Sequence, residues 1–323
     1  GKCPNCGNVI ENEHISSPSQ VSKLAHQLYA VAYRKGKNSL EFRIRKDCDL
    51  EGINLAQVRI DENTSKWEAF NLLSHEPTPI NPQYSMIRNY GITEWMQCFN
   101  HRQFLTIITY VEIINEAKGL IQSEYEWDKA AAITTYLALV LDRCADKNSR
   151  LSHWQASRAF SQAASGQHAL NLMWCYPEIS GDGELWHFCA DAFASDYHQL
   201  CALFGTKPGS IGIPGIKIHD SKSIQINVAS ADDLAYISDN SVDAIVIDPP
   251  YYGTIPYADL SDFFYVWLKR TLGDIFPDLF YLELTDKDRE AVANPSRFRN
   301  MGISPEELAN QDYEAKMAMA FAE

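Results

Sequence analysis

The spacing of apolar residues predicts two helices in the middle of the chain. Apolar positions recur at helical intervals at Phe104, Ile107, Ile108, Val111 and Ile114, which places them on one helix face. Asn100 and Gln103 have the spacing of a capping box, so we expect this helix to begin there. The nearly all-apolar segment from Asp128 to Leu141 predicts a second, buried helix.

Two later segments have strand patterns. Ser223–Ala229 alternates apolar and polar residues, and Ala244–Ile247 is a continuous apolar run that we expect to be a buried parallel strand. This run ends at Asp248-Pro249-Pro250-Tyr251, where two prolines impose a rigid loop. Ligands bind beside the carboxyl ends of strands in open α/β sheets. These four residues are therefore the candidate catalytic residues.

The groups of this loop suit an aromatic amino group as substrate. The Asp248 carboxylate and the Pro249 carbonyl can accept its two hydrogens, and consecutive prolines fix the direction of that carbonyl. Tyr251 offers a flat face for a base that has left its stack. In-line transfer of a group to the nitrogen held in this way gains most of its rate from positioning. The alternative is an ordinary strand-to-loop turn with an incidental Pro-Pro.

The loop and its surroundings resemble a known family. Loops with Asp-Pro-Pro-Tyr bind the amino group in methyltransferases that act on exocyclic nitrogens. Asp248–Arg270 resembles the signature of the large adenine-specific DNA methylases that carry a zinc ribbon and often lie in phage-defence loci. The resemblance extends to Tyr90–Trp95, Phe99–Leu105, Tyr136–Leu139, Leu141–Arg143, Asn148-Ser149, Trp154, Met173-Trp174 and Glu178. One departure is Gly253, where the family usually has an acid.

The resemblance implies a site-specific DNA methyltransferase with S-adenosylmethionine as cofactor. The implied reaction is methylation of N6 of adenine after base flipping, in phage defence or restriction-modification, with DNA and other defence-system proteins as partners. An RNA or protein-amide N-methyltransferase and a non-catalytic DNA-binding module are the alternatives. In a methylase sheet, the loop that follows the predicted strand Ser223–Ala229 lies near the adenine of the donor. Ser230 and Asp232 are therefore the candidate cofactor-binding residues. Alternatively, Asp232 and Asp233 are an acid pair at a helix N-terminus.

The downstream segment Ala258–Arg270 predicts a helix that Ser261 begins and that ends near Gly273. Its aromatic side chains favour core packing over a base-stacking platform.

The first residues contain half of a candidate metal site. Cys3 and Cys6 form a Cys-x-x-Cys pair followed by Gly7, and the sequence has no second such pair. The resemblance implies that the missing pair lies upstream, and structural Zn²⁺ is expected only when that pair is present. The other six cysteines are isolated. Unpaired cysteines without an export signal favour a cytoplasmic location.

The sequence lacks a clear donor-binding turn. A methyltransferase needs a glycine-rich turn after a strand, where the backbone approaches the donor, but Gly205–Gly215 has two prolines and follows a helical stretch, which indicates a linker. At the other end, Ser304-Pro305 begins a helix that runs to the last residue, with Ile303 and Leu308 as a hydrophobic staple. We therefore expect a fragment of a larger protein, inactive by itself.

Charge and composition set the remaining expectations. The 323 residues carry a net charge of −14, which excludes a general nucleic-acid coat protein. Tyr33–Lys46 nevertheless holds six basic residues and one acidic residue. This segment either binds along the phosphate backbone of a nucleic acid or is a strand face exposed to solvent. No apolar run is long enough to span a membrane.

The predicted fold class is α/β. A half zinc ribbon with a small basic strand-rich piece is expected in residues 1–60, a connecting segment in 61–89 and a helical region in 90–203. Residues 204–323 are expected to form part of a Rossmann-like methyltransferase sheet that carries the Asp-Pro-Pro-Tyr loop.

Overall fold

A computed structural model describes residues 2–3, 5–11, 25–36, 39–80, 86–204, 225–302 and 304–323. The fold is mixed α and β and mainly helical. It divides into two compact units. Unit 1 consists of Gly1–Cys189 and Ala258–Asp286, and unit 2 consists of Ala190–Tyr257 and Lys287–Glu323.

The described helices and strands follow one another in this order: β1 (Ala30–Lys35), β2 (Ser39–Ile44), α1 (Asp47–Ala69), α2 (His101–Glu124), α3 (Trp127–Lys147), β3 (His153–Gln155), β4 (Phe160–Gln162), α4 (Glu184–Phe204), α5 (Tyr257–Leu272) and α6 (Pro305–Ala322). Short 3-10 helices lie at Ile87–Tyr90, Trp95–Cys98, Ala164–Gln167 and Pro295–Phe298. Strands β1 and β2 form one antiparallel pair, and β3 and β4 form another.

Helices α2 and α3 pack on each other in unit 1. The Asn100 side chain accepts a hydrogen bond from the Gln103 amide (2.9 Å), and the Gln103 side chain accepts one from the Asn100 amide (3.0 Å). This reciprocal pair confirms the predicted capping box, and the apolar stripe that follows it is buried. Helix α3 confirms the second predicted helix, although it begins at Trp127 and continues to Lys147.

Helix α5 contributes aromatic side chains to the core of unit 1. Phe263 and Trp267 are 1% and 0% exposed. The Phe263 ring stacks on Phe99 with 5.8 Å between centroids, and the Trp267 ring meets Phe99 edge-on at 5.6 Å. The predicted core packing is confirmed. The predicted start at Ser261 is wrong, because the helix begins at Tyr257 with Asp259 in its first turn, where a carboxylate is favourable.

A buried ion pair joins the C-terminal end of α5 to the segment that follows α1. The Arg270 guanidinium donates to both carboxylate oxygens of Glu76, at 2.9 and 3.0 Å. It also donates to the Leu72 carbonyl (2.9 Å) and to the Leu73 carbonyl. The Arg270 and Glu76 side chains are only 4% and 11% exposed. These bonds offset the cost of removing both charges from water.

The predicted strand at Ala244–Ile247 is wrong for this chain. Residues 244–250 have no regular structure, and Ile245, Val246 and Ile247 are 77%, 94% and 61% exposed. Residues 225–229 form no strand either. A parallel strand is stabilised by backbone hydrogen bonds to flanking strands, and the described residues provide no neighbour for either segment.

The described residues accordingly contain no Rossmann-like sheet and no zinc ribbon. Ser223, Ile224, Ile303 and the Gly205–Gly215 segment lie outside the described residues. The four-part division of the chain stays a prediction, although α1 runs across the expected boundary at residue 60. No helix within the described ranges is both long and apolar enough to cross a bilayer.

His75 bridges two glutamates in unit 1. Its Nε2 lies 2.9 Å from Glu68 Oε1 near the end of α1, and its Nδ1 lies 2.8 Å from Glu94 Oε2, just before the 3-10 helix Trp95–Cys98. The hydrogen bond with Glu94 raises the pKa of His75 above its usual value, and the bond with Glu68 adds to this effect. Folding therefore favours the imidazolium form.

Replacing Arg270 should strongly destabilise unit 1. We expect Arg270→Ala to cost about 3–5 kcal/mol, because it leaves the Glu76 carboxylate buried without its partner. Arg270→Lys keeps the charge but not the forked geometry, and its loss should be intermediate. The measurement is urea unfolding followed by tryptophan fluorescence, since all seven tryptophans lie in unit 1.

Lys66→Ala is the matched control for this measurement. Lys66 pairs with Glu112 at 2.6 Å, but its side chain is 54% exposed, so the loss should stay below about 1 kcal/mol. An Arg270→Ala protein as stable as the Lys66→Ala protein would contradict a structural role for the buried pair.

The His75 bridge should make the stability of unit 1 depend on pH. Because the folded-state pKa is raised, the stabilisation is fully present below the unfolded-state pKa of about 6.5 and is lost as pH rises through the folded-state value. The bridge is half exposed, so we expect a contribution below about 1 kcal/mol. Urea unfolding of the wild type and His75→Gln should give free energies that converge at alkaline pH. His198→Gln is the control, and a difference that is the same at all pH values would refute the linkage.

Candidate functional site

The candidate loop in unit 2 exposes its acid and its aromatic ring. Asp248 is exposed and the Tyr251 side chain is 67% exposed. The Tyr251 hydroxyl donates to Asp248 Oδ1 at 2.8 Å. This hydrogen bond to the carboxylate raises the pKa of Tyr251 above its usual value. The phenol thus stays a hydrogen-bond donor at neutral pH, and it orients the Asp248 carboxylate.

A buried tyrosine of α6 fixes the second proline. The Tyr313 hydroxyl donates to the Pro250 carbonyl at 2.6 Å, and Tyr313 is only 7% exposed. Its ring also lies against the ring of Tyr252, with 4.3 Å between centroids. One side chain therefore holds the backbone on one side of Tyr251 and packs against the residue on the other side.

Tyr252 has a backbone conformation that its neighbours maintain. Its φ is +42°, in the left-handed region that side chains with a Cβ rarely adopt. Its hydroxyl donates to Glu314 Oε1 (3.0 Å), and its carbonyl accepts from the Ala293 amide (3.3 Å). Strain of this kind costs about 1–3 kcal/mol and persists only where the surroundings determine it. Here the contacts with α6 and with the Ala293 segment do so.

These contacts belong to a small apolar core in unit 2. Its buried members are Ala293, Ala309 and Tyr313, with Ala291, Phe298 and Met317 packed around them. The core explains why α6 is ordered next to the loop, since a helix gains most of its stability from packing. The Ser304 side chain begins α6 by accepting from the Glu307 amide (3.4 Å), as predicted.

Two acceptors of the loop remain available to a ligand. Within the described residues, Asp248 Oδ2 and the Pro249 carbonyl have no hydrogen-bond partner, whereas the Pro250 carbonyl is occupied by Tyr313. The Tyr251 carbonyl is used by Thr254, whose amide and hydroxyl both donate to it, at 3.0 and 2.7 Å. These two acceptors without a partner belong to the same two residues that the sequence predicts to accept hydrogen bonds from an amino group.

The candidate cofactor-binding residues form a separate turn of unit 2. The Asp233 amide donates to the Ser230 carbonyl at 3.1 Å. A hydrogen bond from the Ser230 side chain lowers the pKa of Asp232. No helix begins at Asp232 or Asp233, so the alternative of a helix N-terminal acid pair is wrong. In the described residues, no hydrogen bond or ion pair links Ser230 or Asp232 to the Asp248–Tyr251 loop.

The candidate metal residues lie in a tight turn. The Cys3 amide donates to the Asn8 carbonyl (2.8 Å), the Gly7 amide donates to the Cys3 carbonyl (2.9 Å), and Gly7 has φ +72°. Backbone amides of Cys6 and Asn5 hydrogen bond to the Cys3 sulfur and lower its pKa. These are favourable conditions for a metal-binding thiolate. The described residues contain no group of three or more ligands that would complete a site.

Several polar residues in the central part of the chain stabilise the fold of unit 1. Asn148 exchanges two hydrogen bonds with the backbone of Ile179, at 2.9 and 3.3 Å. Arg102 pairs with Glu178 at 2.7 Å. The structure places both side chains in intramolecular contacts.

Sequence reasoning missed Tyr313 and Glu314 as supports of the loop. The sequence pattern predicted only that Tyr313 lies within a helix. The signal was its hydroxyl, because a tyrosine in a buried stripe needs a hydrogen-bond partner. Its partner is 63 positions away in the chain, and no local pattern predicts such a pairing.

Removing the Tyr313 hydroxyl should loosen the loop without unfolding unit 2. We expect Tyr313→Phe to cost about 0.5–1.5 kcal/mol locally. The amides of Thr254 and Ala293, which bond to loop carbonyls, should then exchange hydrogen about 2- to 10-fold faster. Tyr236→Phe is the control, since Tyr236 lies in an exposed turn of the same unit. Unchanged protection of both amides in Tyr313→Phe would show that the hydroxyl does not hold the loop.

The loop thus offers a solvent-accessible carboxylate and a neighbouring carbonyl on a backbone that buried residues hold in place. No protein-family model, curated protein sequence or solved structure matches this chain.

Proposed function

We propose that this chain carries the target-base site of an S-adenosylmethionine-dependent DNA methyltransferase that acts on N6 of adenine. The observation that carries the proposal is the pair of available acceptors, Asp248 Oδ2 and the Pro249 carbonyl, beside the exposed ring of Tyr251. An exocyclic amino group has two hydrogens to donate, and a base has a flat face to stack. The loop supplies partners for both.

Each group of the loop has a defined task in this reaction. Asp248 and the Pro249 carbonyl accept the two amino hydrogens, which orients the nitrogen lone pair toward the incoming methyl group. Tyr251 holds the Asp248 carboxylate through Oδ1 and presents its ring to the flipped base. As the new N–C bond forms, the nitrogen loses one proton, which Asp248 is positioned to receive and pass to solvent. S-adenosylmethionine, when bound, supplies the methyl group.

The described residues do not by themselves form a donor pocket. The turn at Ser230–Asp232 offers one carboxylate, and a glycine-rich turn after a strand is absent from the described residues. We propose that residues 225–229 and 244–247 become strands when further strands of a Rossmann-like sheet pair with them. Their exposed side chains, among them Ile226 (91%) and Val246 (94%), would then be buried.

The same proposal includes a zinc ribbon and a cytoplasmic setting. The lowered pKa of Cys3 and the turn that carries Cys6 support a thiolate pair, to which a second pair would add the tetrahedral site of Zn²⁺. The free cysteines of the described residues are compatible with a reducing compartment. Phage defence and restriction-modification remain the proposed context, with other defence-system proteins as partners.

The test is methyl transfer from tritiated S-adenosylmethionine to DNA from a methylation-deficient host. It is run on the 323-residue chain and on the polypeptide of the complete reading frame that contains it. We expect transfer by the latter, with N6-methyladenine as the product in nucleoside mass spectrometry. Asp248→Ala should lower the rate about 100-fold or more, because an orienting acceptor of the transition state is lost.

Asp243→Ala is the matched control, since Asp243 is an exposed acid of the same segment and should leave the rate within about threefold of wild type. Normal activity of Asp248→Ala would remove the assigned role. Transfer to structured RNA or to protein glutamine in place of DNA would establish one of the alternative methyltransferases. DNA binding without transfer to any acceptor would establish a binding module.

A further inference from the structure

The hairpin of β1 and β2 concentrates positive charge in an acidic protein. The pairing is antiparallel, from Ala30 opposite Ile44 to Lys35 opposite Ser39. The described residues of the hairpin and the two residues after it hold five basic side chains and one acid: Arg34, Lys35, Arg43, Arg45, Lys46 and Glu41. The whole chain has a net charge of −14. Such a local reversal of sign indicates an anionic partner.

Two of these cations are used within the molecule. Arg43 donates to both oxygens of Asp49, at 2.6 and 2.8 Å, and this pair lowers the pKa of Asp49. Lys35 lies 3.2 Å from Glu41, which also accepts from the Tyr33 hydroxyl at 2.7 Å. These contacts fix the hairpin to the start of α1 and satisfy its one acid.

Three cations remain exposed. Arg34, Arg45 and Lys46 are exposed and have no ion-pair partner in the described residues. Arg34 lies opposite Leu40, on the face that also carries Phe42 and Ile44, whereas Arg45 and Lys46 follow the end of β2. Along the hairpin, Arg34 and Arg45 are about 17 Å apart at ~3.4 Å per residue. The phosphates of one DNA strand also repeat every ~3.4 Å along the helix axis. Several phosphates therefore fall within the length of the hairpin.

The same hairpin exposes apolar side chains between its cations. Phe42 and Ile44 are 57% and 82% exposed, and Tyr29, just before β1, is 83% exposed. The Phe42 and Trp154 rings meet edge-to-face, with 5.9 Å between their centroids. Exposed aromatic rings interleaved with arginines are typical of nucleic-acid-binding sheets, where cations hold phosphates and rings contact sugars or bases.

We propose that the β1–β2 hairpin is a DNA-binding surface in which Arg34, Arg45 and Lys46 contact backbone phosphates beside Phe42 and Ile44. The inference rests on the proposed function for its choice of DNA as the partner. The hairpin supplies affinity independent of sequence, and the Asp248–Tyr251 loop supplies contact with the target base.

The test is binding of the full 323-residue chain to a fluorescent DNA duplex over a range of salt concentrations, without any methyl donor. We expect the triple variant Arg34→Gln, Arg45→Gln, Lys46→Gln to bind about tenfold or more weakly at low salt. Its slope of log K against log salt should be smaller by about 2 to 3, because three phosphate contacts are lost. Asp47→Asn, which removes the acid next to Lys46, should strengthen binding.

The control is a second triple variant with the same change in net charge, Arg59→Gln, Lys129→Gln, Arg299→Gln. All three of these side chains are exposed and lie outside the hairpin. Circular dichroism checks that both triple variants are folded. Equal weakening by the two variants, or no binding of the wild type to DNA, would overturn the inference. So would hairpin-dependent binding to phosphatidylserine vesicles with none to DNA.

The outcome is separable from the test of the proposed function. A hairpin variant that binds DNA like wild type refutes this surface and leaves the effect of Asp248→Ala on methyl transfer unchanged. Conversely, a chain that binds DNA through the hairpin but never transfers methyl groups supports the surface and refutes the methyltransferase.

Discussion

The buried pair of Arg270 and Glu76 is the constraint on which unit 1 depends. Arg270 comes from the end of α5, and its partners come from a segment almost two hundred residues earlier in the chain. Two charges with so little access to water are tolerated only where every donor has an acceptor. Five acceptors, from Glu76, Leu72, Leu73 and Val266, meet that demand and thereby fix where α5 ends.

The position of α5 in turn determines the aromatic core. Once its last turn is held, Phe263 and Trp267 meet Phe99, and Phe263 also contacts Trp95 at 6.1 Å. These rings are buried next to the capped start of α2, so the cap and the core stabilise one another. The aromatic segment after the Asp-Pro-Pro-Tyr loop therefore has a structural role.

The loop differs from this core, because Asp248 and Tyr251 are exposed while Tyr313, which holds the loop, is buried. Tyr313 and Glu314 hold the backbone and side chain of residues that flank Tyr251, while Asp248 and Tyr251 themselves stay accessible. Strain at Tyr252 is compatible with this arrangement, because strained residues concentrate where a fixed geometry is needed. A support of this kind keeps the loop ordered without a ligand, and such preorganisation lowers the entropic cost of binding wherever a ligand does bind.

Local patterns in the sequence determined helices α2, α3, α5 and α6, the caps at Asn100 and Ser304 and the core role of the aromatic segment, but they did not predict α1, which occupies residues expected to be strand-rich or connecting. Each of the predicted features depends on neighbours within a few positions, so periodicity and capping chemistry suffice to predict them. The tertiary structure decided what depends on partners distant in the chain. Arg270 forms an ion pair with Glu76, and the Tyr313 hydroxyl donates a hydrogen bond to the Pro250 carbonyl. Residues Ala244–Ile247 form no strand, although their side chains favour one. A strand, a buried charge and a buried hydroxyl are each stable only when a partner satisfies them, and a linear sequence does not specify which distant residue that partner is.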